Sequence, residues 1–183
     1  MTTPQPCWGT VSNAEPTRVY IPVTLPMLTE LVADGYLQPR AGTAFAVTPT
    51  LREAYTEGDD EELAEVAIRE AALASLRLLS VEPPDGPPLR RAVLVADVPG
   101  EVVTLRPDLD DAVVRVSGRV GMDQVVAAYV DNPAAEPALR AAVDVIDAAD
   151  LGDEDAELTV GDAQDHDLAW YAPQELAFLL ELL

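Results

Sequence analysis

The most regular pattern in the chain lies between residues 59 and 78 and predicts one long amphipathic helix. Asp59 or Asp60 can cap its N-terminus, and three glutamates follow at the positive end of the helix dipole. At about 100° per residue, one arc of this helix is apolar and comprises Leu63, Ala64, Ala67, Ile68, Ala71, Ala74 and Leu78. At about 1.5 Å per residue the helix reaches about 30 Å, so we expect it to lie along a sheet.

Apolar runs predict five strands for that sheet, at residues 18–23, 44–48, 91–98, 112–120 and 125–130, and a short strand or turn at 168–171. Pro22 either places the first strand at an edge or marks its end, because proline has no N–H for a central ladder. The strand at 91–98 is so apolar that we place it centrally. Short links join this strand to the next two, which favours three antiparallel neighbours.

Caps, prolines and apolar stripes predict four further helices. The first begins after Thr24, carries Pro26 in its first turn and ends at Gly35. The other three lie at residues 48–55, 136–149 and 173–183. Residues 99–111 and 150–167 are rich in acids, and we expect both segments to be solvated loops.

The chain of 183 residues has the size of one domain. Residues 1–16 contain three prolines and no periodicity, which indicates a flexible N-terminal arm that holds Cys7 and Trp8. Residues 17–183 are predicted to form a single domain with a Pro-rich surface linker at 82–88. We expect an α+β fold, or an α/β fold, with a mixed, mostly antiparallel sheet of five or six strands and helices mainly on one face.

The formal net charge of −22 restricts the partners of such a domain. The chain has 11 arginines, no lysine and 33 acids. Nucleic acids and anionic membranes are bound through basic surfaces, so we predict neither as a partner. No apolar run approaches the length of about 18 residues that is needed to span a bilayer. A protein partner or a second copy of the chain remains open.

The residue inventory also excludes several kinds of chemistry. Without lysine there is no Schiff base, no anchor for pyridoxal phosphate and no phosphate-loop lysine. With one histidine, a zinc site built on two or three imidazoles is excluded. We therefore predict no cofactor and no metal site. The N-terminus has no signal-peptide pattern and Cys7 cannot form an internal disulfide, so we expect a cytoplasmic protein.

The catalytic candidates are carboxylates and the single histidine. His166 lies between Asp165 and Asp167, and a histidine paired with an acid can act as a general acid or base. Asp97 lies near the C-terminal end of a central strand, a position that α/β sites use. The alternatives are a half-exposed loop histidine and an aspartate that only makes strand-end hydrogen bonds.

The best candidate ligand pocket is at the last strand–helix junction. Trp170 and Tyr171 point to opposite sides of an extended strand, so we expect one in the core and the other against a helix or lining a groove. Gln174 and Glu175 follow at the start of the last helix. If the first and last strands are neighbours, Arg18 and Tyr20 join this group.

Three segments resemble one protein family: residues 18–26 (Arg-Val-Tyr-Ile-Pro-Val-Thr-Leu-Pro), 46–53 (Ala-Val-Thr-Pro-Thr-Leu-Arg-Glu) and 166–176 (His-Asp-Leu-Ala-Trp-Tyr-Ala-Pro-Gln-Glu-Leu). The chain looks like an uncharacterised actinobacterial family, a domain of unknown function, over nearly all of residues 18–183. The resemblance implies a cytosolic bacterial protein. It implies no activity, so it assigns a role to no residue.

Three hypotheses for function follow. The first is a non-catalytic binding or regulatory protein that contacts a protein or a small ligand. The second is an enzyme that uses carboxylates and His166 on a small substrate, with or without Mg²⁺. The third is a structural subunit that oligomerises through the apolar C-terminal helix. The lack of most catalytic residue sets favours the first.

Overall fold

The structure, a computed structural model, describes residues 15–183. The predicted N-terminal arm, with Cys7 and Trp8, therefore lies almost entirely outside the described residues. Within residues 15–183, no helix is both long enough and apolar enough to cross a membrane.

Within the described part of the chain, nine strands form two sheets. The strands are β1 (Pro16–Val23), β2 (Tyr36–Leu37), β3 (Thr43–Phe45), β4 (Ala92–Pro99), β5 (Val103–Leu105), β6 (Val113–Val116), β7 (Val120–Gly121), β8 (Val125–Asp131) and β9 (Leu168–Tyr171). The main sheet has seven antiparallel strands in the order β5-β6-β3-β1-β4-β8-β9. β2 and β7 pair separately.

Six α-helices lie in residues 15–183: α1 (Leu25–Asp34), α2 (Pro49–Ala54), α3 (Asp60–Ser80), α4 (Glu136–Asp150), α5 (Glu154–Gln164) and α6 (Leu176–Glu181). The prediction of a single α+β domain is confirmed. The sheet has seven strands where five or six were expected.

Helices cover both faces of the main sheet, where the sequence analysis expected them mainly on one. Val19 and Ile21 of β1 pack with α1 and α6, whereas Tyr20 packs with α2 and α3. We call the side that carries α3 the α3 face and the opposite side the α1 face. The central strands β1 and β4 are apolar at consecutive positions, which is typical of strands buried on both faces.

The long helix predicted from the periodic pattern is α3, and it lies along the sheet as expected. Its N-terminus has a capping box: the Asp59 carboxylate accepts from the Glu62 N–H at 2.9 Å, and the Glu62 carboxylate accepts from the Asp59 N–H at 3.2 Å. Leu63 and Ala67 are buried against the sheet. The second half of α3 forms a smaller core with α4 and α5.

The order of the strands differs from the expectation in two ways. β6 does not lie beside β4 or β8, because it pairs with β3 and β5 on the other side of β1. The segment predicted as an acidic loop at 99–111 contains β5, which follows β4 and forms an edge of the sheet. A short link limits the distance between two consecutive strands, but it does not determine which strand each of them pairs with.

β1 is a central strand, so Pro22 marks its end rather than an edge of the sheet. β3 reaches β1 only at the pair Tyr20–Phe45, and Pro22 lies beyond this contact. Thr24 occupies the predicted cap position of α1, yet its side chain makes no capping hydrogen bond. Its hydroxyl is buried and has no partner within residues 15–183.

The expectation of a solvated loop at 150–167 is wrong for most of the segment, because α5 occupies it. The Asp153 carboxylate accepts from the Ala156 N–H at 2.9 Å and caps the helix. The acids in the first turn stabilise the helix, because they lie at the positive end of its dipole. Ala156, Val160 and Ala163 form a narrow buried stripe that the surrounding acids obscure in the sequence.

Replacing Asp153 with alanine is expected to destabilise the protein by about 1 kcal/mol, because the Ala156 N–H at the start of α5 loses its capping acceptor. Asp162→Ala is the matched control, since this exposed acid lies at the C-terminal end of the same helix. Urea unfolding of both variants measures the difference. Equal stability of the two variants would contradict the assignment of the cap.

Candidate functional site

Two depressions open along one flank of α3, and we call them together the α3 groove. The first, of about 740 Å³, is lined by Glu15, Pro16, Arg18, Tyr20, Val47, Arg52, Asp60, Glu61, Ala64 and Asp97. The second, of about 360 Å³, is lined by Glu65, Ile68, Arg69, Arg91, Tyr129, Gln164, His166, Asp167 and Leu168. The α3 residues of both fall within one half of the helix circumference, about 180° wide, so both depressions lie on the same side of α3.

Two ion pairs line the first depression. The Arg18 guanidinium donates to both Asp97 carboxylate oxygens, at 2.9 and 3.0 Å, and the two residues are cross-strand partners on β1 and β4. This hydrogen bonding raises the pKa of Arg18. Arg52 pairs with Asp60 across the start of α3. The candidate catalytic residue Asp97 is therefore held as the partner of Arg18.

Tyr20 contributes a buried ring and a free hydroxyl to the same depression. Its side chain packs beneath α3, and its hydroxyl makes no hydrogen bond within residues 15–183. Burial is the main reason why the pKa of Tyr20 is raised, and the nearby Arg18 opposes that rise. The hydroxyl is therefore neutral at physiological pH and can donate to a ligand.

Tyr129 and Trp170 form a cross-strand aromatic pair at the second depression. They are direct partners on β8 and β9, and both lie on the α3 face. Tyr129 lines the depression, whereas the Trp170 side chain is 58% exposed beside it. Tyr171 faces the other way and packs against the core under α6. Tyr171 therefore lies on the core side, whereas Trp170 lies at the surface beside the depression and does not line it.

His166 is half-buried at the turn between α5 and β9. Its carbonyl accepts from Arg91 Nη2 at 2.7 Å. Within residues 15–183 its imidazole makes no hydrogen bond and no ion pair. Asp165 and Asp167 are both exposed, and within residues 15–183 neither makes an ion pair with the ring. The predicted histidine–acid pair is therefore not formed in this structure.

The turn at His166 is held by a buried ion pair that sequence reasoning missed. Arg91 donates through Nε and Nη2 to the two carboxylate oxygens of Asp131, each at 2.8 Å. The Arg91 N–H also donates to Asp131 Oδ2 at 2.8 Å. Both side chains are buried, with 2% and 0% exposed. The signal for this pair in the sequence was an arginine directly before a central strand, together with an aspartate at the end of a second strand.

The remaining predicted residues lie outside the groove. Glu175 accepts from the Ala172 N–H at 2.8 Å and holds the turn before α6, and Gln174 is exposed in that turn. β1 and β9 are not neighbours, because β4 and β8 separate them. Arg18 and Tyr20 thus line the first depression of the α3 groove, whereas Trp170 lies beside the second, so the three residues do not share one pocket.

The described residues offer no cluster of three His, Cys, Asp or Glu side chains that could hold a metal ion. The charges of the groove are nevertheless uneven. Within residues 15–183, four of its carboxylates and one of its guanidinium groups make no ion pair: Glu15, Glu61, Glu65, Asp167 and Arg69. The groove therefore has a surplus of unpaired negative charge.

Comparison with known proteins supports the resemblance noted in the sequence. Residues 17–180 match the family of unknown function DUF6912. Curated proteins and solved structures gave no significant match. The prediction of an uncharacterised domain-of-unknown-function family is confirmed, while its actinobacterial origin stays a prediction. Because the match covers nearly the whole described domain, the chain belongs to the DUF6912 family of unknown function.

Proposed function

We propose that the protein is a non-catalytic binding protein that holds a positively charged segment of a partner protein in the α3 groove. One observation carries this proposal: the groove joins four unpaired carboxylates to two tyrosines, with one unpaired arginine among them. A cationic side chain would meet opposite charge there, together with the Tyr20 hydroxyl and the partly exposed ring of Tyr129.

The rest of the molecule favours the same class of partner. The net charge of −22 draws a basic partner toward the protein and repels acidic ones. The groove lies between a long capped helix and the strands of a large sheet, so its walls are built from regular secondary structure. Its ion pairs Arg18–Asp97 and Arg52–Asp60 fix the wall while leaving Glu61 and Glu65 free to bind.

The enzyme hypothesis has less support from the site. General acid–base catalysis needs the histidine within hydrogen-bond reach of its partner groups. The His166 ring has no such partner within residues 15–183, and the Asp97 carboxylate is ion-paired with Arg18. We therefore rank catalysis by His166, Asp165 or Asp97 below binding.

The third hypothesis, a structural subunit, rests on α6. Phe178 and Leu182 lie one turn apart on its outer side, and both are exposed. An apolar pair of this kind can face a second copy of the chain. Two copies that each carry a charge of −22 repel one another, so we rank this hypothesis second.

The proposal predicts that a fluorescent octa-arginine peptide binds the protein and that groove carboxylates contribute to its affinity. The double variant Glu61→Gln/Glu65→Gln is expected to weaken binding roughly fivefold, or about 1 kcal/mol. The matched control is Glu30→Gln/Glu181→Gln, which changes the net charge equally at exposed positions on α1 and α6. Fluorescence anisotropy at physiological ionic strength measures both.

The control variant is expected to lose less than about twofold in affinity, because its carboxylates lie outside the groove. Equal weakening of both variants would mean that only the overall charge matters, and it would contradict the proposal. The absence of any binding by the wild-type protein would contradict it as well. A cytoplasmic location and an actinobacterial origin remain part of the proposal as predictions.

A further inference from the structure

We propose that the outer edge of β9 accepts an extended basic segment of the partner protein as an eighth strand of the main sheet. This inference rests on the proposed function, because it specifies how a cationic partner enters the α3 groove. Three features of the described residues support it: the free backbone groups of β9, the exposed Trp170 and the acids beside the strand.

The backbone of β9 has N–H and C=O groups that pair with no other described strand. The Asp131 N–H donates to the Arg91 carbonyl at 3.0 Å, so the backbone of Asp131 points toward β4. Neighbouring residues of a strand point to opposite sides, so Val130 points toward β9 and pairs with Ala169. The N–H and C=O groups of Leu168 and Trp170 therefore point away from β8.

Within residues 15–183, β9 ends the main sheet on this side. A free strand edge of this kind is the surface to which partner proteins add a strand through main-chain hydrogen bonds. The opposite edge, β5, is a less suitable candidate, since it has three residues and lies far from the α3 groove.

Trp170 adds a side-chain contact to the backbone hydrogen bonds that the β9 edge can offer. It forms a non-hydrogen-bonded pair with Tyr129, and side chains lie close together in such pairs. Its exposed ring stands next to the position of an added strand. An arginine or lysine of that strand would lie over the indole and continue into the groove beside Tyr129.

The charge around β9 selects the occupant. Asp165 and Asp167 directly precede the strand, both are exposed, and neither makes an ion pair within the described residues. A basic segment complements these carboxylates. A second copy of this chain would bring another net charge of −22 to the same edge, so pairing of two β9 edges is disfavoured.

The test uses a peptide of four Arg-Val repeats and two analogues, N-methylated at every arginine or at every valine. N-methylation removes backbone donors and leaves the charge unchanged. Because a strand bonds its neighbour through alternate residues, one analogue is expected to lose at least about tenfold in affinity and the other to keep most of it. Loss of affinity in neither analogue would overturn the inference.

A pair of protein variants tests the same surface. Trp170→Ala is expected to weaken binding of the unmethylated peptide roughly tenfold, whereas Phe178→Ala, which removes an exposed ring from α6, is expected to change it less than about twofold. Circular dichroism verifies that both variants fold. An equal affinity of the two variants would overturn the role of Trp170.

The outcomes separate the inference from the proposed function. If both analogues bind like the parent peptide while Glu61→Gln/Glu65→Gln still weakens binding, the groove is used without strand addition. If the peptide does not bind at all, both proposals are wrong. Edge pairing of two copies would instead appear as a concentration-dependent dimer that Trp170→Ala abolishes, and it would overturn the choice of occupant.

Discussion

The variant Asp131→Ala is expected to lose about 3–5 kcal/mol of unfolding free energy, the largest effect among the predictions. Without Asp131, the buried, positively charged guanidinium of Arg91 loses two hydrogen bonds, and the Arg91 backbone N–H loses a third. A buried charge without a partner is costly, because the protein interior does not solvate it as water does. Urea unfolding followed by circular dichroism measures the loss.

The matched control for this variant is Asp150→Ala. Asp150 makes the same two-point contact with an arginine, Arg77, but those side chains are 45% and 46% exposed. Water can replace the lost contact there, so we expect a change of about 0–1 kcal/mol. Similar losses in the two variants would contradict the view that Arg91 and Asp131 hold the junction between β4, β8 and β9.

The second large effect is expected from Ser75→Ala, which should cost about 1–3 kcal/mol. Ser75 lies buried on α3, where its hydroxyl donates to the Val23 carbonyl at 2.8 Å and accepts from the Ala92 N–H at 3.0 Å. It thereby links α3 to the end of β1 and the start of β4. Its replacement leaves two buried backbone groups to find other partners.

Ser80→Ala is the control for this loss. The Ser80 hydroxyl also donates to a backbone carbonyl, that of Arg77, but it is exposed and water can take its place. We expect a change within about 0.5 kcal/mol. Thermal unfolding of both variants gives the comparison, and a Ser75→Ala protein as stable as Ser80→Ala would show that the link contributes nothing.

Elements with a complete local signal could be predicted from the sequence. α3 has a capping box, a wide apolar arc and a clear end, so its position and its contact with the sheet were correct. β4 was placed in the centre correctly, since apolar residues follow one another without alternation. α5 was missed, because small buried alanines and many acids give a weak periodic signal.

The candidate site depends on features that the sequence does not contain. Its composition follows from the strand order, which places two strands between Tyr20 and Trp170 and brings Tyr129 beside Trp170. His166 was singled out because it is the single histidine, yet the structure uses its carbonyl rather than its ring. Arg91 and Asp131 are 40 residues apart, and only the sheet brings them together.

The binding of a basic segment to the α3 groove is tested most directly by nuclear magnetic resonance. Titrating the isotope-labelled protein with the peptide of four Arg-Val repeats is expected to shift the backbone amide signals of α3 from Glu61 to Arg69. The amides of Leu168 and Trp170 are expected to shift with them and to exchange more slowly with solvent, because they gain hydrogen bonds. Shifts centred on α6, or spread evenly over the acidic surface, would contradict the account.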